Sequence, residues 1–174
     1  MKTDTLKKIT LTALFMALSC VATMVIKIPT MIGYANLGDG VVLLGAYFLG
    51  PVYGLLAGGV GSMLADILSG YAFYAPGTLI IKGLVAWIGA VLVKKICKGS
   101  IPNFKGMLLA GAAAELWMVA GYWAYETLIL GNAAAALASI ASNGAQGVVG
   151  VVVSMALFSL LSKVPELRAR IQKG

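Results

Sequence analysis

Residues 65–83 read ADILSGYAFYAPGTLIIKG, two apolar runs joined by a loop of aromatics and a proline, with Asp66 inside the first run and Lys82 inside the second. Paired runs of this kind suit a helical hairpin whose connection lies at a membrane surface. A charge within such a run costs about 2.5–3.5 kcal/mol at a helix centre, so both side chains are expected to face the interior of a bundle and to mark function.

The same reading extends outward to the whole chain. Of 174 residues, 60% are hydrophobic and 11% charged, with 22 glycines, and the mean hydropathy is +0.96, outside the range of soluble domains. Apolar runs fall at 6–28, about 40–56, 57–70, 77–96, 106–130 and about 143–162. They predict an all-α integral membrane protein, a bundle of six transmembrane helices forming one domain over 1–174. The first run is kept as a span rather than a signal peptide, because its apolar core is too long and no small-residue cleavage pattern follows. In "LGPVYGLLAGG", Pro51 and the clustered glycines predict a tight turn or helix break between short spans two and three.

Charge orients the bundle. Lys2, Lys7 and Lys8 precede span one; Lys94, Lys95, Lys98 and Lys105 lie between spans four and five; Lys163, Arg168, Arg170 and Lys173 follow span six. With six spans these eleven of thirteen basic residues share one side, which predicts both termini cytoplasmic in a multi-pass cell-membrane protein. The net charge of +7 is therefore topological, and no nucleic-acid partner is expected. Lys27 and Lys82 stay unexplained by this rule. The chain has no histidine, and Cys20 and Cys97 lack metal-ligand spacing, so no metal, cofactor or catalytic triad is expected.

The intramembrane charges Asp66, Lys82, Glu115 and Glu126 are the candidate site. Glu115 and Glu126 lie eleven residues apart, about three turns plus 20°, and Tyr122 falls on the same stripe. Counting rise along the helices puts Lys82, Asp66 and Glu126 near one outward-facing pocket, with Glu115 near mid-membrane. The plain alternative is that Lys82 neutralises Asp66 or a glutamate in a buried ion pair that fixes packing. Three carboxylates against one ammonium do not all match internally, which favours a ligand. On span six, Asn143 and Gln146 stand at the outer end as amides able to read ring nitrogens or hydroxyls, whereas the Gly147 and Gly150 spacing reads as helix packing. The aromatics Tyr34, Tyr71, Phe73, Tyr74, Tyr122, Trp123 and Tyr125 map to the outer half, as an interfacial belt or as stacking partners for a planar heterocycle. Ala13 and Ala17, four apart on span one, permit close approach of another helix.

Taken together these residues resemble the substrate-binding S components of energy-coupling factor (ECF) vitamin transporters, most of all through "NLGDGVVLLGAYFLGPVYGLLAGGVGSMLADILSGYAFYAPGTLIIKG" at 36–83. The stretch looks like the branch holding riboflavin, hydroxymethylpyrimidine and pyridoxine S components. The resemblance implies a six-helix bundle that binds a vitamin at its outer face, closed by the loops after spans one, three and five. It implies docking, with Ala13 and Ala17 in the contact, onto a transmembrane coupling protein that carries two ATPases, and toppling in the bilayer to release the ligand. No Walker motif occurs, so ATP hydrolysis would come from partners. The expected substrate-binding set is Tyr34, Asn36, Asp39, Asp66, Tyr74, Lys82, Glu115, Tyr122, Glu126, Asn143 and Gln146. The expected ligand is a small pyridine or pyrimidine such as vitamin B6 or hydroxymethylpyrimidine; riboflavin, folate and queuosine precursors are alternatives. Rival classes are a stand-alone secondary transporter, for which no inverted repeat is found, and a membrane scaffold whose charges are packing pairs. An intramembrane enzyme is not expected.

Overall fold

The computed structural model describes residues 3–30 and 34–164. Helix α1 (Thr3–Val25) ends three residues before the sequence reading places its end. The β-branched Val25, Ile26 and Ile28 and the ring of Pro29 favour extended backbone, and the chain leaves the helix there. A hairpin follows, in which β1 (Lys27–Pro29) pairs antiparallel with β2 (Tyr34–Asn36), Lys27 opposite Asn36 and Pro29 opposite Tyr34.

Helix α2 (Gly38–Leu49) and helix α3 (Pro51–Leu68) meet at Gly50. The expected boundary near 56/57 is thus corrected to 50/51. Gly50 adopts φ +78°, left-handed backbone that glycine enters without steric cost, and Pro51 begins α3, where its missing N–H is no loss. The glycines taken as a break, Gly58 and Gly59, lie inside α3 and bring it against the next helix: a Cβ on Gly59 would stand 2.7 Å from the Leu79 carbonyl oxygen.

Helix α4 (Ala75–Ile96) starts with Pro76 in its first turn and ends on Lys94 and Lys95, which suit the negative end of the helix dipole. Helix α5 (Phe104–Leu130) is capped by Asn103, whose side chain accepts from the Gly106 amide at 2.8 Å. The gap expected between the runs at 106–130 and about 143–162 is also corrected. Asn132 caps a single turn, α6 (Ala133–Ala136), through the amides of Ala134 and Ala135, and α7 (Ala138–Leu161) is already helical at Ala138.

Five helical segments are long and apolar enough to cross a membrane: 5–25, 51–68, 75–96, 104–130 and 133–161. Helix α2 is apolar too, but its 12 residues rise only about 18 Å against a hydrocarbon core of roughly 30 Å. It packs against α1, α3, α4 and α7, and Val42 and Leu43 within it are fully enclosed. Around it the interior mixes bulky apolar side chains such as Val85 and Met118 with small and polar ones such as Ala86, Ser62 and Ser154, while Leu116, Leu128 and Val148 point outward. Large apolar side chains on the outside are what a lipid solvent permits, since packing and polar pairing rather than exclusion of water join the helices. Of the basic residues used to orient the bundle, Lys2, Arg168, Arg170 and Lys173 lie outside the described residues.

Candidate functional site

The hairpin, the end of α3, the loop 69–74, the start of α4, the end of α5 and the start of α7 converge at one end of the bundle. They enclose a cavity with about 430 Å3 of empty space, its open mouth included. The hairpin region contributes Thr30, Tyr34 and Asn36, and α3 contributes Asp66. Tyr74 and Thr78 come from the entry to α4, and Tyr122 and Glu126 from α5. Ser139, Asn143 and Gln146 complete the lining from α7.

Each carboxylate in the lining is partly satisfied by neighbours. The Tyr34 hydroxyl donates to Asp66 Oδ1 at 2.7 Å, tying β2 to the end of α3. Asp66 Oδ2, although buried, accepts no hydrogen bond among the described residues, and neither does the Asn143 Nδ2 group find an acceptor. The Tyr74 hydroxyl donates to Glu126 Oε1 at 3.1 Å, and Ser139 Oγ donates to Glu126 Oε2. The hydroxyls of Thr78 and Tyr122 pair at 3.0 Å. Burial, reinforced by Asp66, pushes the Tyr34 phenol well above its usual pKa, and burial beside Glu126 does the same to Tyr74, so both are hydrogen-bond donors at neutral pH.

Aromatic rings run in a chain around the mouth. Tyr34 meets Tyr71 at 5.0 Å between centroids, Phe73 meets Tyr74 at 4.8 Å, and Tyr74 meets Tyr122 at 6.3 Å. Lys27, unexplained by the charge rule, donates to Ser69 Oγ and lies 5.2 Å from the centre of the Tyr34 ring. It fastens β1 to the loop after α3, beside the opening.

Three expected site residues do not line the cavity. Lys82 is ion-paired with Asp39 in the bundle interior, not with Asp66 or a glutamate. Asp39, just outside the run expected at about 40–56, is instead in the first turn of α2 and fully buried. Its other oxygen accepts from Gln146 Nε2 at 2.6 Å, and Lys82 also lies 5.4 Å from the Tyr122 ring centre. Glu115 is buried beside this pair with no hydrogen bond to either carboxylate oxygen among the described residues. Gly150 makes the arrangement possible: a Cβ there would stand 2.6 Å from Asp39 Cβ and 3.5 Å from Glu115 Oε1.

Gln146 joins the two layers. Its Oε1 accepts from the Asn36 amide at 2.7 Å in the lining, while its Nε2 reaches Asp39 below. The sequence reading missed Thr30, Thr78 and Ser139, since single hydroxyls in helical or turn sequence carry no spacing signal. Thr78 and Ser139 each stand one helical turn from a residue that was singled out, Lys82 and Asn143. Among the described residues no group of three or more His, Cys, Asp or Glu is placed to hold a metal ion. A cavity rich in hydroxyl, phenol, amide and carboxylate groups is equipped to hold a polar organic molecule by hydrogen bonds and ring stacking.

The family model described as ECF-type riboflavin transporter, S component, matches residues 3–163. A protein of Pyrococcus woesei described as an uncharacterised protein in the gap 3′ region is 38% identical over 117 residues, which is 66% of this chain and 75% of that relative.

Proposed function

Since the chain belongs to the ECF-type riboflavin transporter S component family, and so is a multi-pass membrane protein that serves as the substrate-binding subunit of an ECF importer rather than an enzyme, we propose that its outer cavity captures a neutral or weakly basic planar nitrogen heterocycle bearing hydroxyl or amino donors. The observation that carries this reading is the charge of the lining. Asp66 and Glu126 face the cavity, while no lysine or arginine lines it among the described residues and Lys82 is held by Asp39. An anionic ligand would meet repulsion there, whereas a donor-rich one would find acceptors at Asp66 and a stacking surface at Tyr34, Tyr74 and Tyr122.

Two kinds of ligand fit this class. A small pyridine or pyrimidine, such as vitamin B6 or hydroxymethylpyrimidine, suits the modest volume, and riboflavin is favoured by the family match. In this reading Tyr34, Asn36, Asp66, Tyr74, Tyr122, Glu126, Asn143 and Gln146 touch the ligand, joined by Thr30, Thr78 and Ser139. Asp39, Lys82 and Glu115 form the layer beneath. The chain acts as one domain with six membrane crossings, α2 being the short one, and both termini cytoplasmic. It works with a coupling protein carrying two ATPases, with the exposed Ala13 and Ala17 on α1 in the contact.

Titration calorimetry of purified protein with riboflavin, pyridoxine and hydroxymethylpyrimidine, each beside its phosphorylated form, tests the proposal. One unphosphorylated compound binds at least about tenfold tighter than its phosphate ester, a difference of ~1.4 kcal/mol. Equal or tighter binding of the ester overturns the reading.

A further inference from the structure

The hairpin at the mouth is too small to hold itself in place. Strands β1 and β2 have three residues each, and a two-stranded ribbon is marginal on its own, so its position depends on what it is tied to. Asn36, the last residue of β2, is held twice. Its side-chain oxygen accepts from the Gly38 amide at 2.8 Å, and its own amide donates to Gln146 Oε1 at 2.7 Å. The first tether stays within the turn into α2, whereas the second reaches across to α7.

Gln146 can make that second bond only with its oxygen turned to Asn36, and Asp39 is what turns it. A side-chain amide has an acceptor on one side and donors on the other. Asp39 Oδ2 accepts from Gln146 Nε2 at 2.6 Å, while Lys82 takes the other carboxylate oxygen. Nε2 also lies 3.5 Å from the Met118 sulfur, a weak acceptor. With no acceptor at position 39, the amide is free to invert and set an N–H against the Asn36 N–H. Asn36 and Gln146 line the cavity, and Asp39 does not. We propose that Asp39 is a positioning residue for ligand capture, which from beneath the cavity fixes Gln146 and, through it, the end of the hairpin. The proposal rests on the outer cavity being the ligand site. What the mouth requires of position 39 is a hydrogen-bond acceptor, not a charge.

The test compares two variants of the full chain in detergent that both lack the ion pair, Asp39→Leu/Lys82→Met and Asp39→Asn/Lys82→Met. Only the asparagine can accept from Gln146. Apolar replacement of a buried ion pair is often neutral for stability, and circular dichroism with thermal unfolding checks that both variants are folded. Amide exchange at Asn36, read by NMR without ligand, quickens about tenfold or more in the leucine variant and stays within about threefold of wild type in the asparagine variant, since local opening follows the tether. Exchange within α4, as at Val85, is unchanged in both. Should the leucine variant fail to fold, Asp39→Ala/Lys82→Met, which adds no bulk beside Gly150, takes its place. In calorimetry with riboflavin, pyridoxine and hydroxymethylpyrimidine, the compound that wild type binds is held about tenfold more weakly by the leucine variant and at near wild-type affinity by the asparagine variant. If wild type binds none of the three, the vitamin assignment falls, and the exchange comparison alone decides the role of Asp39. Wild-type protection of Asn36 in the leucine variant, equal loss in both variants, or faster exchange throughout the helices each overturns the proposal.

Discussion

Asp39 and Lys82 meet in the interior of the bundle across 43 residues of sequence, one from the first turn of α2 and the other from the second turn of α4. The pair takes the Lys82 ammonium away from the cavity lined by Asp66 and Glu126 and leaves that cavity to carboxylates, phenols, hydroxyls and amides. A buried pair of this kind contributes little net stability compared with apolar residues, but removing one partner strands the other.

Lys82→Met therefore lowers stability by about 3–5 kcal/mol, because Asp39 is left enclosed without its ion-pair partner. Lys82→Met/Asp39→Asn recovers most of the loss, since the asparagine oxygen still accepts from Gln146. Thermal unfolding in detergent of both variants checks this. A single variant as stable as wild type would show that Asp39 does not depend on Lys82.

Glu115 makes the opposite case. Neither of its carboxylate oxygens receives a hydrogen bond among the described residues, so Glu115→Gln keeps the shape, breaks no hydrogen bond and leaves stability unchanged or raised. A drop of more than about 1 kcal/mol in an unfolding titration would mean that those oxygens have donors after all.

At the cavity, Asp66→Asn weakens ligand binding by about tenfold or more, because an unpartnered carboxylate oxygen facing the ligand is replaced by an amide. Tyr34→Phe removes the bond from β2 to Asp66 and speeds ligand dissociation more than it slows association, as changes at a bound interface generally do. Stopped-flow binding with the identified vitamin separates the two rates. Unchanged affinity in Asp66→Asn would place the ligand elsewhere.

Ala17→Trp, on the exposed face of α1, lowers uptake by the assembled transporter by about tenfold or more, while affinity of the isolated subunit stays within roughly twofold, since the change blocks helix approach without touching the cavity. Vesicle uptake beside binding to the purified chain distinguishes the outcomes. A parallel loss of both would tie the effect to misfolding.

Much of this was legible in the residues themselves. Charges inside apolar runs are costly wherever they fall, so Asp66 and Glu126 pointed to the interior before any geometry was known, and the aromatic loop at 71–76 marked the mouth. Asp39 falls just before the expected run at about 40–56, because the glycines of "LGDG" carry no helical pattern. Only the packing of α2 against Gly150 of α7 makes it a buried helical position, and no local pattern encodes a contact 111 residues away. Likewise Gly50 and the glycines of α3 look alike in sequence. One is needed for its backbone angle and the others for the surface that they leave open, and that distinction arises only in the folded chain.

The Gln146 amide has opposite polarity at its two ends, so it has a single usable orientation: oxygen toward the Asn36 backbone, nitrogen toward Asp39. Peeling β2 away from the opening strips the oxygen of its donor and frees the whole amide to swivel, slackening the grip on Asp39 at the same moment. One side chain thus ties the backbone at the mouth to the Asp39–Lys82 pair in the interior.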